Sequence, residues 1–335
     1  MHRLSILSSM DFTELGKISA EWSEFVQNAT PLGYSKLVPG MNPKAARALV
    51  ESSRARLSDA DLSANGLNVR TLTWTDPTTT QQLQFRLFVP PEATANPSQV
   101  FPLYLYFHGG GFLLGSIDSD VAECARISTS SGMLVLSANY RHTDTHPFPA
   151  QHDDAWSALQ FALSCSPELT QVDHTRILVA GASAGANLAL VTALRAGAEN
   201  IPLAGLVLQS PWLADPALFP DSSSASQHAA GPVVTAADLA WYVALLAAGT
   251  AASPLLAADE DLLKLPRTYV QVCGMDPLRD DGLVFCARLK EMGPLWALIN
   301  YHDGNSLDTA GNYNSMQCSS SSLTLGISNS SLDRV

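Results

Sequence analysis

Two short stretches carry residues arranged for chemistry: His108-Gly109-Gly110-Gly111 and Gly181-Ala182-Ser183-Ala184-Gly185. Three successive glycines let a backbone turn several N–H groups to one side, because no Cβ stands in the way. Such a loop holds an anion. In the second stretch a serine lies between an apolar, β-branched run (Thr175 to Ala180) and a run of helix formers (Ala184 to Ala198). A serine on a tight strand-to-helix turn presents its hydroxyl, and the helix start adds unpaired amides beside it. Nucleophile and anion loop together are the two halves of an acyl-transfer site. Gly109, Gly110 and the Ala184 N–H are the expected oxyanion donors. His108 and Gly111 complete the loop. His108 reads as a brace rather than a base, because it precedes the serine.

An acyl-transfer serine needs a base, and the base needs an acid to orient it. Asp276 follows the apolar run Arg267 to Cys273, so it falls just past a strand end, on the rim expected for the serine. Asp280 and Asp281 are expected to cap or solvate the helix that follows. His302 is the only histidine after Asp276. It reads either as the base or as an exposed loop histidine. His142, His146 and His152 bracket a proline-containing loop and read as structural, so no metal site is expected. His228 lies upstream of Asp276 and is a poor base. No organic cofactor is implied.

These groups need a scaffold. Val69 to Thr75 and Gln82 to Val89 flank Asp76-Pro77-Thr78 and read as an antiparallel hairpin. Strands and helices then alternate: strand 101–107, helix 118–131, strand 133–138, helix 150–163, strand 175–180, helix 184–197 and strand 203–209. That alternation predicts a mostly parallel sheet covered by helices. From Pro211 the rhythm breaks, and Thr235 to Ala248 is an apolar helix candidate. Strand 267–273, helix 282–292 and strand 295–301 restore it. Near the N-terminus, 11–27 and 42–57 carry helical patterns, the first with Leu15, Ile18, Trp22, Phe25 and Val26 on one face.

The combination resembles the hormone-sensitive lipase family of α/β-hydrolases over residues 66–301. Besides the two glycine motifs, Tyr140-Arg141, His146-Pro147-Phe148-Pro149-Ala150, Asp153-Asp154-Ala155-Trp156 and Asp276-Pro277-Leu278-Arg279-Asp280-Asp281-Gly282 are similar to its segments. The resemblance implies a metal-free serine hydrolase of carboxylic esters. It also implies an eight-stranded, mostly parallel sheet with helices on both faces and a helical cap. Residues 1–65 would be N-terminal cap helices, and 66–303 the core, with a cap insertion over 211–255. Ala182, Ala186 and His142-Thr143-Asp144-Thr145 depart from the family pattern. The Y-R-H-T variant is similar to fungal accessory esterases of natural-product pathways. In the family the base lies in a loop after the last strand, and that position falls at Ser306.

Residues 304–335 differ from the rest. Nine of residues 305–335 are serine, with no lysine and no helical stripe. Polar sequence of this kind buries too little surface to offset its ordering entropy, so disorder is expected. Two alternatives to an active esterase follow. One is a ligand-binding protein that keeps the pocket. The other is a mis-spliced or truncated gene product lacking the triad histidine.

The net charge is −12, which argues against nucleic acid or an anionic membrane as partner. No apolar run is long enough to span a bilayer, and no secretory segment is recognisable, so a cytoplasmic protein is expected. The five cysteines are widely spaced and read as free thiols. The expected partner is a small-molecule ester, and the expected assembly a monomer or homodimer.

Overall fold

The strand Phe101–Phe107 reads F-P-L-Y-L-Y-F and is buried on both faces. A strand with two apolar faces needs a helical layer on each side. The computed structural model supplies both. It describes residues 38, 40–53, 62, 66–219, 223–231, 234–293 and the backbone of 297–302. The helix expected over 11–27 and the tail from 303 onward lie outside the described residues.

The described strands form one eight-stranded sheet. In chain order they are β1 (Asn68–Thr75), β2 (Gln82–Val89), β3 (Phe101–Phe107), β4 (Leu134–Ala138), β5 (Val172–Ala182), β6 (Gly205–Gln209), β7 (Thr268–Cys273) and β8 (Ala297–His302). Their spatial order is β1-β2-β4-β3-β5-β6-β7-β8. The first two pairings are antiparallel and all the rest are parallel. The hairpin agrees with its sequence signals. Strand β5 runs further than the expected 175–180, because Val172 also pairs with Phe101.

The longer helices are α1 (Pro43–Ser53), α2 (Val121–Ser131), α3 (Ala150–Leu163), α4 (Ala184–Ala198), α5 (Ala236–Leu246) and α6 (Arg279–Glu291). Residue parity along the strands decides the layers. Leu103, Leu105 and Phe107 of β3 join Ile177, Val179, Leu206, Leu208, Val270 and Val272 on one face, under α3, α4 and α6. Tyr104, Tyr106, Val135 and Ala180 point to the other face, under Val121, Cys124 and Ala125 of α2. Helix α1 docks through Ala46 and Val50, both buried in the larger cluster. Full burial of a side chain the size of Val50 stabilises by roughly 1.5–3 kcal/mol.

Between β6 and β7 lies the insertion that the broken rhythm announced. Its main helix, α5, begins at a capping box: Thr235 Oγ1 accepts from Asp238 N at 3.1 Å, and Asp238 Oδ2 accepts from Thr235 N at 2.9 Å. It ends where Ala247 adopts φ 52°. No helix among the described residues is long and apolar enough to cross a membrane.

Sheet order also places the site. From β3 the chain moves to β4 on one side, then returns to β5 on the other. Where connections diverge in this way, a crevice opens beyond the C-terminal ends of the strands. The glycine loop follows β3 and Ser183 follows β5, so both motifs face that crevice.

Candidate active site

Ser183 has φ 54° and ψ −118°, a conformation strained for a side chain with a Cβ. Its surroundings hold it there. Its N–H donates to Gln209 O at 2.9 Å, and its carbonyl accepts from Ala186 N at 3.0 Å and Trp212 N at 3.2 Å. Two residues later the chain crosses the end of β3. A Cβ on Gly185 would overlap the carbonyl oxygens of Phe107 and His108. Only glycine lets α4 begin this close to the loop that follows β3.

That loop reaches the serine. A Cβ built on Gly109 would lie 3.4 Å from the Ser183 Cβ. Gly110 has φ +130°, and a side chain there would strike the Leu114 carbonyl. Leu113 N and Leu114 N close the turn onto Gly110 O at 3.1 and 2.8 Å. His108 is fully buried and braces the loop. Its Nδ1 sits 2.8 Å from Gly109 O, its ring stacks on Tyr140 at 4.4 Å, and Tyr140 Oη donates to His108 O at 3.0 Å. Ala184 heads α4, where the first amides have no intrahelical partner.

Gly109, Gly110, Gly111, Ser183 and Asp276 line one cavity of about 100 Å³. Val234, Leu239 and Tyr242 of the insertion form its apolar wall, with the Tyr242 ring against Gly111. Tyr106, Asp120, Gln209 and Gln271 add polar groups to the lining. No histidine is among the described residues lining this cavity.

Asp276 is buried, and its Oδ1 accepts from Leu278 N at 2.9 Å. The two acids after it correct the sequence reading. Asp280 and Asp281 are buried in the first turn of α6, neither solvated nor capping it. Asp281 Oδ1 accepts from Leu213 N at 2.6 Å and Ala214 N at 2.9 Å, holding the loop after β6. Asp280 Oδ2 accepts from Ser224 N at 2.7 Å. Burial pushes the Asp281 pKa well above the usual carboxylate range, against the pull of its two amide donors. Nothing local announces these bonds, whose partners lie more than fifty residues away in sequence.

His302 ends β8, its backbone level with Cys273 of β7. Its backbone therefore reaches the same rim of the sheet as the Asp276 loop. The loop position at Ser306 lies outside the described residues.

His142, His146 and His152 do not converge as ligands, and no metal-binding group occurs among the described residues. His152 instead supports the elbow. Its Nε2 meets Asn187 Oδ1 at 3.0 Å, and Asn187 Nδ2 donates to Trp212 O and Ala252 O at 2.9 and 2.8 Å. Sequence reading missed Asn187, which gives no signal beyond being polar inside an apolar helix. Burial lowers the His152 pKa, outweighing the Asn187 bond and the Asp153 charge. The folded protein thus prefers neutral His152. Its stability is complete above the unfolded histidine pKa of about 6.5 and falls as pH drops through that value. Thermal unfolding should show the wild type losing more stability between pH 7.5 and 5 than His152→Gln, which cannot charge. Parallel curves would remove His152 as the cause.

Residues 104–305 match the family model described as alpha/beta hydrolase fold. Esterase LipI of Mycobacterium tuberculosis is 34% identical over 62% of this chain and 65% of its own length. The match therefore spans just under two thirds of that relative. Gibberellin receptor GID1A of Arabidopsis thaliana is 32% identical over 58% of this chain and 59% of its own. Among solved structures, the Pyrobaculum calidifontis esterase superposes with a TM-score of 0.70 at 28% identity, covering 86% of this chain and 90% of that one.

Proposed function

We propose that this chain, which belongs to the α/β-hydrolase family in its hormone-sensitive-lipase-like branch, is a serine carboxylesterase of small to medium hydrophobic esters. One observation carries the reading: a strained Ser183 faces a cavity that it shares with the Gly109–Gly111 loop and Asp276. The insertion over this cavity acts as its cap, and the apolar wall of Val234, Leu239 and Tyr242 receives the hydrophobic part of the ester.

In this reaction Ser183 Oγ attacks the ester carbonyl as a base removes its proton. Negative charge moves to the carbonyl oxygen, where Gly109, Gly110 and Ala184 N–H groups receive it. One such donor contributes about 3–4 kcal/mol to the transition state. The intermediate collapses, the alcohol leaves with the proton, and an acyl-serine remains. Water, deprotonated by the same base, then releases the acid.

His302 is assigned as the base and Asp276 as the group that orients it. The position of His302 at the end of β8 supports this. A short p-nitrophenyl ester tests it on the full chain. The expected turnover is on the order of 10 s⁻¹, and His302→Ala should lower it by roughly three orders of magnitude or more. Undiminished turnover in that variant would exclude His302.

A second reading, a non-catalytic ligand-binding member, is favoured by the receptor among the relatives. It predicts no turnover by the wild type, with saturable binding of a hydrophobic acid or ester. A place in natural-product metabolism belongs to the proposal too, on the strength of the Tyr140-Arg141-His142-Thr143 variant. Activity on a natural-product ester well above that on simple alkyl esters would support it.

A further inference from the structure

The loop that carries Asp276 is held by the insertion, through a short helical turn at Ser224–Gln227. Ser224 is 1% exposed and makes three bonds across this contact. Its Oγ donates to Pro277 O at 2.8 Å and accepts from Asp280 N at 3.1 Å, while its N–H donates to Asp280 Oδ2 at 2.7 Å. Arg279 is fully buried and strengthens the contact. Its Nη1 donates to Gln227 Oε1 at 3.0 Å and Gly274 O at 3.1 Å, and its Nε to Asp280 Oδ1 at 2.9 Å. Residues 274, 277, 279 and 280 are thus all tied down, on both sides of Asp276. The segment that holds them continues, a few residues on, into Val234, Leu239 and Tyr242 of the cavity wall.

We propose that Ser224 is a positioning residue for Asp276, so that one insertion both closes the cavity and aligns the acid. The physical reason is that Asp276 lies on a loop, so the aim of its carboxylate follows the position of that loop. The bonds from Ser224 and Gln227 refer the loop to a separate element. Ordering the wall around bound ester then also orders the acid, coupling substrate fit to turnover rather than to affinity alone. The kinetic consequence rests on the serine-esterase reading; the structural one does not.

The test uses the full chain as wild type, Ser224→Ala and Ser224→Thr, with Asp280→Ala as a second route to the same contact. In Ser224→Ala, which loses both Oγ bonds, hydrogen exchange of a peptide spanning 274–281 should quicken at least about tenfold, while the 178–190 peptide stays unchanged. Turnover of the p-nitrophenyl ester should fall about tenfold with KM within about twofold. Ser224→Thr keeps the hydroxyl and should recover most of both. The double variant should be worse than either single one, because Ser224→Ala removes the two Oγ bonds and Asp280→Ala the bond from the Ser224 N–H. Unchanged exchange in 274–281, equal acceleration throughout the chain, or a rise in KM at constant turnover would overturn the assignment. If the wild type turns over no ester, the esterase reading fails, and the exchange result alone decides the role of Ser224.

Discussion

Ser183→Ala is expected to abolish covalent labelling by a fluorophosphonate probe and to lower ester turnover by about six orders of magnitude. The structural cost should be small. The backbone bonds that hold the elbow run from Ser183 N to Gln209 O and from Ala186 N and Trp212 N to Ser183 O, and alanine keeps all three. The positive φ strains alanine as it strains serine. What disappears is the side-chain hydroxyl that the elbow presents to the cavity beside Gly109. The oxyanion loop survives and should leave roughly 10³–10⁴ over the rate in water. Mapping the adduct in the wild type completes the measurement. Labelling at another serine, undiminished in Ser183→Ala, would refute the assignment of the nucleophile.

The second large effect is expected from Asp276→Asn. The amide keeps an Oδ1 acceptor for Leu278 N, so the loop should hold its shape and the melting temperature should scarcely move. The charge is lost, however, and with it the stabilisation of an imidazolium. The amide also presents a donor where the histidine needs an acceptor, which favours the wrong tautomer. Together these lower turnover by about four orders of magnitude. KM should change little, because the aspartate serves the transition state rather than the bound ester. Activity close to that of the wild type would show that Asp276 orients no base. Because the three groups act as a unit, adding Asp276→Asn to Ser183→Ala should cost almost nothing further.

Residues 101–209 were the most legible part of the fold. Each strand there is a short apolar run, each helix is a run of helix formers, and the alternation itself implies a parallel sheet. Observed ends differ from the expected ones by a few residues, as at β5, where pairing of Val172 with Phe101 extends the strand beyond its apolar run. The insertion was legible as a break in rhythm. The start of α5 was legible too, since Thr235 and Asp238 cap it with bonds inside one turn.

Asp280 and Asp281 show why the remainder was not legible. In sequence they resemble any acids at a helix start, where local rules expect caps or solvent. Their partners are Ser224, Leu213 and Ala214, brought near only when the insertion folds back over α6. Asn187 and His152 likewise meet because α3 and α4 pack side by side.

By itself, then, the sequence determined where the proposed nucleophile, oxyanion loop and acid stand, because each position is a backbone requirement met within a few residues. A positive-φ turn between strand and helix, a run of glycines, and an acid just past a strand end are written locally. The tertiary structure decided what makes these pieces one site. Strand order put the β3 and β5 loops side by side, and the missing Cβ of Gly185 let them touch. The fold-back of the insertion decided what holds Asp276. Such contacts join residues far apart in sequence, and it is the burial of both sheet faces that brings them together.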